Sequence, residues 1–422
     1  MVEGALLTRT VFQDGERYPL LLDTHGVPCW YPTLFVTTQL RNAAKAPNTI
    51  TSVLSAIRLL LAWSQVDGVD LEARFAKREF LALYEIESLC RHLQAKVTRD
   101  RDSDVQIVSP VKSREIARAR PQAVKKRVGV TTQYIRMTYV ADYLEWLGYR
   151  LVEREARHVD ADCRAAVQRM AKAIRARRPI KSAGSNRSSR IGMSSEQRNV
   201  LLRVVDPNGE ENPFTQDVRS RNRLIVHLLD ELGLRQGELL SIRISDINFT
   251  NDEIVIPRRH DDEADPRANQ PVVKTMDRRL PLTPGLADEM SEYVMGPRRM
   301  IKPARRHEYL LVVHKSGPFF GEPLTARGLM KIFFNLRKAS PEWLANLTPH
   351  ILRHTWNDRF SEMVDTNGMD KAKEEKMRSY LMGWKEGSGT SAIYTQRHIE
   401  KEARKAALHL QGNSNGGGSE RG

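Results

Sequence analysis

One acid-free basic stretch constrains this chain more than any other feature, because the residue pattern differs on its two sides. Residues 165–190, AAVQRMAKAIRARRPIKSAGSNRSSR, hold eight Lys and Arg and no Asp or Glu, then thin out into Ser, Gly and Asn. That is the composition of a linker. Before it, apolar residues recur mainly at helical spacing; after Met193, short strand-like runs alternate with helical ones. With 422 residues the chain is longer than a single core usually serves, so the break predicts at least two domains.

On the N-terminal side, Asn48 can cap a helix in which Ile50, Val53, Leu54, Ile57, Leu60 and Leu61 form one apolar stripe. The same period returns in FLALYEIESLCRHL and in TTQYIRMTYVADYLEWLGYRL, where Tyr134, Met137, Tyr143, Leu144 and Leu147 make the inward side. These runs predict an all-α domain over 45–175, followed by a basic flexible linker over 176–192. Residues 1–44 mix strand-like pieces, RYPLLLD and TLFVTTQL, with turn residues, and read as an extension of unassigned role. From 193 to 411 the pattern is mixed α/β and mainly helical. One amphipathic helix there ends at Gly233, and EIVIP, PVVK and RRLPL are strand-like, the last two joined tightly through TMD. Residues 412–422, rich in Gly, Ser and Asn, read as a disordered tail.

An excess of 67 Lys+Arg over 52 Asp+Glu, a net charge of +15, favours a polyanionic partner. Two basic runs carry that charge. Arg118, Arg120, Lys125, Lys126 and Arg127 lie in one, Arg175, Arg177 and Arg178 in the other, and together they are the candidate DNA-backbone contacts. Such a run is more often a solvated face, but two of them flanking a domain junction favour the DNA reading. The apolar runs, such as RLLLAW, are shorter than the roughly 20 residues of a membrane-spanning helix, and no signal peptide is evident. Cys29, Cys90 and Cys163 form no CxxC pair, which argues against a zinc ribbon or a disulfide framework and suits a reducing cytoplasm.

Residues with chemical potential are scattered through 235–394. In LTPHILRHTW, Thr348 and Pro349 can start a helix that puts His350 and Arg353 one turn apart beside its positive end, a generic anion site. Arg235 follows the helix-ending Gly233, and Glu238 three residues on can hold its guanidinium by a carboxylate fork. Lys274 sits beside a hairpin turn, Trp384 in a Gly-bounded turn, and Tyr394 shortly after. Tyr380 reads as a core residue of its helix, and the acidic DDEADP after His260 as a solvated loop rather than a metal site.

Taken in order, Arg235 in GLRQGELL, Lys274 in VVKT, His350 and Arg353 in HILRH, Trp384 in LMGW and Tyr394 in AIYT resemble the tyrosine recombinase, or phage integrase, family. The resemblance is strongest over 193–411. Over 45–175 it extends more loosely to that family's helical, SAM-like core-binding domain. It implies a multidomain enzyme in which that domain precedes a tyrosine recombinase catalytic domain, the two clamping duplex DNA. By implication, Tyr394 is the nucleophile, Arg235 and Arg353 bind the scissile phosphate, and Lys274 is the general acid. His350 and Trp384 assist, while Glu238 and His354 give structural support. The implied activity is site-specific recombination or integration through a 3′-phosphotyrosyl intermediate and a Holliday junction, with no metal, no ATP and no other cofactor. The implied assembly is a homotetramer on two DNA sites, to which the family adds related recombinases or accessory DNA-bending proteins, in a bacterial cytoplasm at the nucleoid and away from membranes. Type IB topoisomerase-like relaxation, or a catalytically idle DNA-binding regulator, are the alternatives.

Overall fold

A computed structural model describes residues 5–96, 127–156, 159–180, 192–259, 261–271, 273, 275–385 and 403. The chain divides into two compact units, Met1–Ala183 and Gly184–Gly422.

The first unit opens with an antiparallel hairpin, β1 (Leu6–Val11) and β2 (Arg17–Leu22), paired from Leu6↔Leu22 to Val11↔Arg17. Helices follow: α1 (Trp30–Phe35), running on as a π-helical turn over Val36–Arg41, then α2 (Pro47–Asp67), α3 (Leu71–Ala76), α4 (Leu83–Gln94), α5 (Val130–Ala156) and α6 (Ala161–Ala176). The expected stripe of α2 is buried at Ile50, Val53, Leu54, Ile57 and Leu60, while Leu61 is only half-buried. Asn48 does not cap this helix. The helix starts two residues earlier, at Pro47, whose fixed φ suits a first turn, and the Asn48 side chain accepts from Arg9 instead (3.1 Å). Taken over all 21 residues rather than the RLLLAW run alone, α2 is long and apolar enough to cross a bilayer; here its stripe lies in the unit's core.

TLFVTTQL is helical, not a strand. Tyr31, Phe35 and Val36 share one face and pack into the core with Tyr18 and Leu21 of the hairpin and with Tyr143, whose ring meets Phe35 edge-on at 5.3 Å. Packing of that face overrides the β propensity of its Val and Thr residues. The hairpin and α1 therefore belong to the same core as α2, α4 and α5. Asp70 and Asp160 cap α3 and α6 by accepting from Ala73 N (3.0 Å) and Cys163 N (2.8 Å). All three cysteines are free thiols.

The second unit contains α7 (Ser195–Val204), α8 (Gln216–Leu232), α9 (Gln236–Ser241), a three-stranded antiparallel sheet of β3 (Ile247–Asn248), β4 (Glu253–Ile256) and β5 (Arg278–Pro281), then α10 (Pro284–Tyr293), α11 (Ala326–Ala339), α12 (Pro341–Leu344), α13 (Pro349–Thr366) and α14 (Lys371–Met382). Helix α8 runs through the middle of its core. Leu224, Ile225, Leu228 and Leu229 are fully buried, each contributing about 1.5–3 kcal/mol. In β5 the side chains alternate, Arg278 and Leu280 inward, Arg279 and Pro281 outward.

Two loop expectations change. Pro271 and Val273 lie outside any strand, and β5 pairs with β4 in register Ile254↔Leu280 rather than with PVVK. In the intervening acidic loop Asp261 and Glu263 are exposed, as expected, but Asp262 and Asp265 are not. Asp262 accepts from Arg243 and from Tyr309 Oη (3.1 Å), and buried Asp265 grips Arg267 (2.8 Å), whose Nη1 also donates to Leu240 O and Leu324 O. Each acid answers an arginine that would otherwise be stranded in a low-dielectric setting. His260 lies outside the described residues, and among those described no group of His, Cys, Asp and Glu could hold a metal.

Candidate active site

Three helix ends meet in the second unit. Helix α8 stops at Gly233, which adopts φ +61° and has no room for a Cβ: one would lie 2.9 Å from Met382 Cε and from Trp356 Cγ. Arg235 follows and starts α9. Helix α13 starts as the sequence predicts, with Thr348 Oγ1 accepting from Ile351 N (3.2 Å) and Pro349 in its first turn. Helix α14 stops at Gly383, φ +63°, which delivers Trp384 to the same place.

The two candidate phosphate-binding arginines converge on one oxygen. Arg353, 1% exposed, donates Nη2 to Met382 O (2.9 Å) and Nη1 to Gly233 O (2.7 Å), and Arg235 donates Nη1 to the same Met382 O (3.4 Å). The Arg353 guanidinium also faces the Trp384 ring at 5.5 Å. Arg235 keeps 34% of its side chain exposed, so solvent reaches this pair from its side. Next to it, exposed His350 and buried His354 meet edge-on, ring centroids 4.3 Å apart.

Glu238 is the carboxylate that meets these cations among the described residues, and its main partner is not the one expected. Oε2 accepts from the Arg235 backbone N (2.9 Å), but the fork belongs to Arg278, with Nη2 to Oε2 at 2.8 Å and Nη1 to Oε1 at 3.3 Å. The guanidinium groups of Arg235 and Arg353 stand further off, at 3.5 and 3.9 Å. Thr275 Oγ1 donates to Oε1 at 2.6 Å. Burial alone would raise the Glu238 pKa; Arg278 by charge and hydrogen bond, then Arg353 and Thr275, outweigh it and bring it down to about 2. The carboxylate is therefore ionised at any ordinary pH. Sequence reasoning missed Arg278, although the signal was there: if Leu280 and Leu282 of RRLPL point inward, strand alternation sends Arg278 inward with them.

Helix α14 is locked to α13 through Arg378, fully buried, which donates to Asn357 O (3.1 Å), Ser361 Oγ (2.8 Å) and Glu374. That polar contact, with Met382, defines the inward face of α14. Tyr380 falls off it and is 56% exposed, with Oη donating to Arg279 O (3.3 Å), so it is not a core residue. Lys274 and Tyr394 lie outside the described residues; Val273 and Thr275, which flank Lys274, are both buried.

Among the candidate DNA contacts, Arg118, Arg120, Lys125 and Lys126 also lie outside the described residues. The others belong to the first unit. Arg127 is exposed, in a bridge with Ala95. Arg175 is held by Asp142 and Glu145 (2.6 Å each), Arg177 by Glu87 (2.7 Å), and Arg178 lies over the Tyr134 ring at 4.7 Å.

The second unit thus gathers two arginines, a histidine pair and a tryptophan at three helix ends. Residues 198–401, just under half of the chain, match the family model described as the phage integrase family, and that segment is of the tyrosine recombinase family. It is 28% identical over 214 residues to the tyrosine recombinase XerC of Listeria innocua, which takes in 50% of this chain and 59% of that protein. The chain thus spans less than two thirds of that relative's length. It is 22% identical over 344 residues to transposase A from transposon Tn554 of Staphylococcus aureus, covering 81% of this chain and 83% of that one. A solved structure of the site-specific recombinase XerH bound to palindromic difH substrate aligns at a TM-score of 0.43 with 12% identity, over 90% of this chain and 94% of that chain.

Proposed function

We propose that this chain is a site-specific DNA recombinase that cuts and rejoins strands through a 3′-phosphotyrosyl intermediate. The observation that carries the reading is the convergence of Arg235 and Arg353 on Met382 O, at the end of the helix that leads to Trp384 and then to Tyr394. Two like charges are held together there at an electrostatic cost that a bound phosphate would relieve, and guanidinium forks suit phosphate oxygens.

In this reading Tyr394 Oη attacks the scissile phosphorus while the bond to the 5′-oxygen breaks, and Lys274 gives the leaving oxygen its proton. Arg235 and Arg353 stabilise the charge that spreads over the non-bridging oxygens. His350, exposed in the first turn of α13, handles protons and bonds the phosphate; buried His354 packs against it. Trp384 packs the floor against Arg353. The phosphodiester energy is kept in the tyrosyl link, so a second strand's 5′-hydroxyl reverses the step without ATP or metal. Repeated on two duplexes, the exchange passes through a Holliday junction, with a homotetramer on paired DNA sites as the working unit and related recombinases or DNA-bending proteins as further partners. The helical N-terminal domain and its basic linker would grip the duplex backbone, in a bacterial cytoplasm.

The reading is tested with nicked duplexes that carry a randomised core. The full chain should trap a subset as a denaturation-resistant adduct, and Tyr394→Phe should trap none. A chain that traps no duplex of the library is a binding protein and not this enzyme. Supercoil relaxation by the trapping protein without joint products from two recovered sites would favour the topoisomerase alternative.

A further inference from the structure

Glu238 shares its negative charge unequally among three guanidinium groups. Arg278 takes the carboxylate squarely, at 2.8 and 3.3 Å, with both side chains no more than 1% exposed, whereas Arg235 and Arg353 remain at 3.5 and 3.9 Å. The same guanidinium donates Nε to Leu381 O at 2.7 Å, in the last turn of α14. Gly383 makes this approach feasible, since a Cβ there would come within 2.7 Å of Arg278 Nη1 and 2.8 Å of Thr275 Cβ. A backbone bond, Met276 N to Gly383 O at 3.0 Å, closes the same seam.

We propose that Arg278 is a positioning residue: it occupies Glu238 so that this carboxylate does not close on Arg235 and Arg353, and it clamps the end of α14 from which the Tyr394 segment departs. The inference rests on the recombinase reading above. Three arginines and one glutamate leave two net positive charges around the site; without Arg278 only one remains. Glu238 would then need to move by only about an ångström to pair with either remaining arginine, given charge-assisted N–H···O contacts of roughly 2.7–2.9 Å. Each such pair would take donors away from the phosphate in a setting where charge interactions are strong.

The library duplex captured by the wild-type chain serves as substrate, under single-turnover conditions with protein in excess. Arg278→Met should slow formation of the covalent adduct about 100-fold, the scale of losing one preorganised donor, while the Kd for the intact duplex changes less than about twofold. Adding Glu238→Gln to Arg278→Met should restore at least about tenfold of that loss, because the carboxylate that captures the arginines is gone. Arg278→Lys, which keeps the charge but loses the fork and the Leu381 bond, should fall between wild type and Arg278→Met. If Arg278→Met fails to fold by circular dichroism, Arg278→Lys and the double variant carry the comparison. Wild-type cleavage by Arg278→Met (by Arg278→Lys, where Arg278→Met does not fold), or a double variant no faster than Arg278→Met, overturns the proposal. A wild-type chain that forms no adduct instead overturns the recombinase reading, and that is scored before any variant is made.

Discussion

Replacing Gly383 with alanine isolates how tightly the site is packed. The residue sits at φ +63°, where an L side chain costs about 1–2 kcal/mol. Its new Cβ would also overlap Arg278 Nη1 at 2.7 Å, Thr275 Cβ at 2.8 Å and Met276 O at 3.0 Å. Only the arginine tip is flexible, and it is committed to Glu238 and Leu381, so the overlap adds an overpacking cost of about 1–3 kcal/mol. The sum is about 2–5 kcal/mol. Gly368, in the same unit at φ +59° with nothing within 4 Å of its Cβ position, supplies the control that meets the backbone cost alone. Urea titration of Gly383→Ala and Gly368→Ala should therefore give unequal losses, the first larger by at least about 1 kcal/mol. Equal losses would refute the claim that Arg278 and Thr275 close around this glycine.

Acid should weaken the second unit through His314. Burial first, then the charge of Arg221, lowers its pKa to about 4, with the neutral ring bonded to Asp217 O (2.8 Å) and Tyr293 Oη (3.0 Å). The unfolded chain takes up this proton near the ordinary histidine value of about 6.5 and the folded chain only near 4. Stability is therefore full above about pH 6.5 and falls as the pH drops towards 4, by up to about 3 kcal/mol, a slope that His314→Gln should flatten in unfolding midpoints taken across that range. Arg378→Met leaves Glu374 uncompensated at the α13–α14 contact and should cost about 3–5 kcal/mol, with Glu374→Gln in the same chain recovering part of it by the same titration.

Much of this architecture was legible in the residues. The stripe Ile50 to Leu60, the Gly233 stop and the Thr348–Pro349 start all follow from local rules, because period, left-handed glycine and cap are set within a few residues. What escaped was non-local. TLFVTTQL turned helical because Phe35 and Val36 found a core made by β2 and α5, and Asp262 of the acidic loop became an anchor because Arg243, 19 residues away, meets it. The site divides the same way. Arg235, Glu238, Arg353 and Trp384 could be singled out by context, and they do meet, yet the partner that takes Glu238 lies 40 residues away and announces itself only through strand alternation.

The central claim is that Tyr394 becomes bonded to DNA at the place where Arg235 and Arg353 converge. The most direct measurement is mass spectrometry of the trapped adduct after nuclease and trypsin treatment. The account predicts a nucleotide mass on EGSGTSAIYTQR, residues 386–397, with a free 5′-hydroxyl on the released strand. A nucleotide mass on SYLMGWK, residues 379–385, would make exposed Tyr380 the nucleophile and contradict it, as would the absence of any linked peptide.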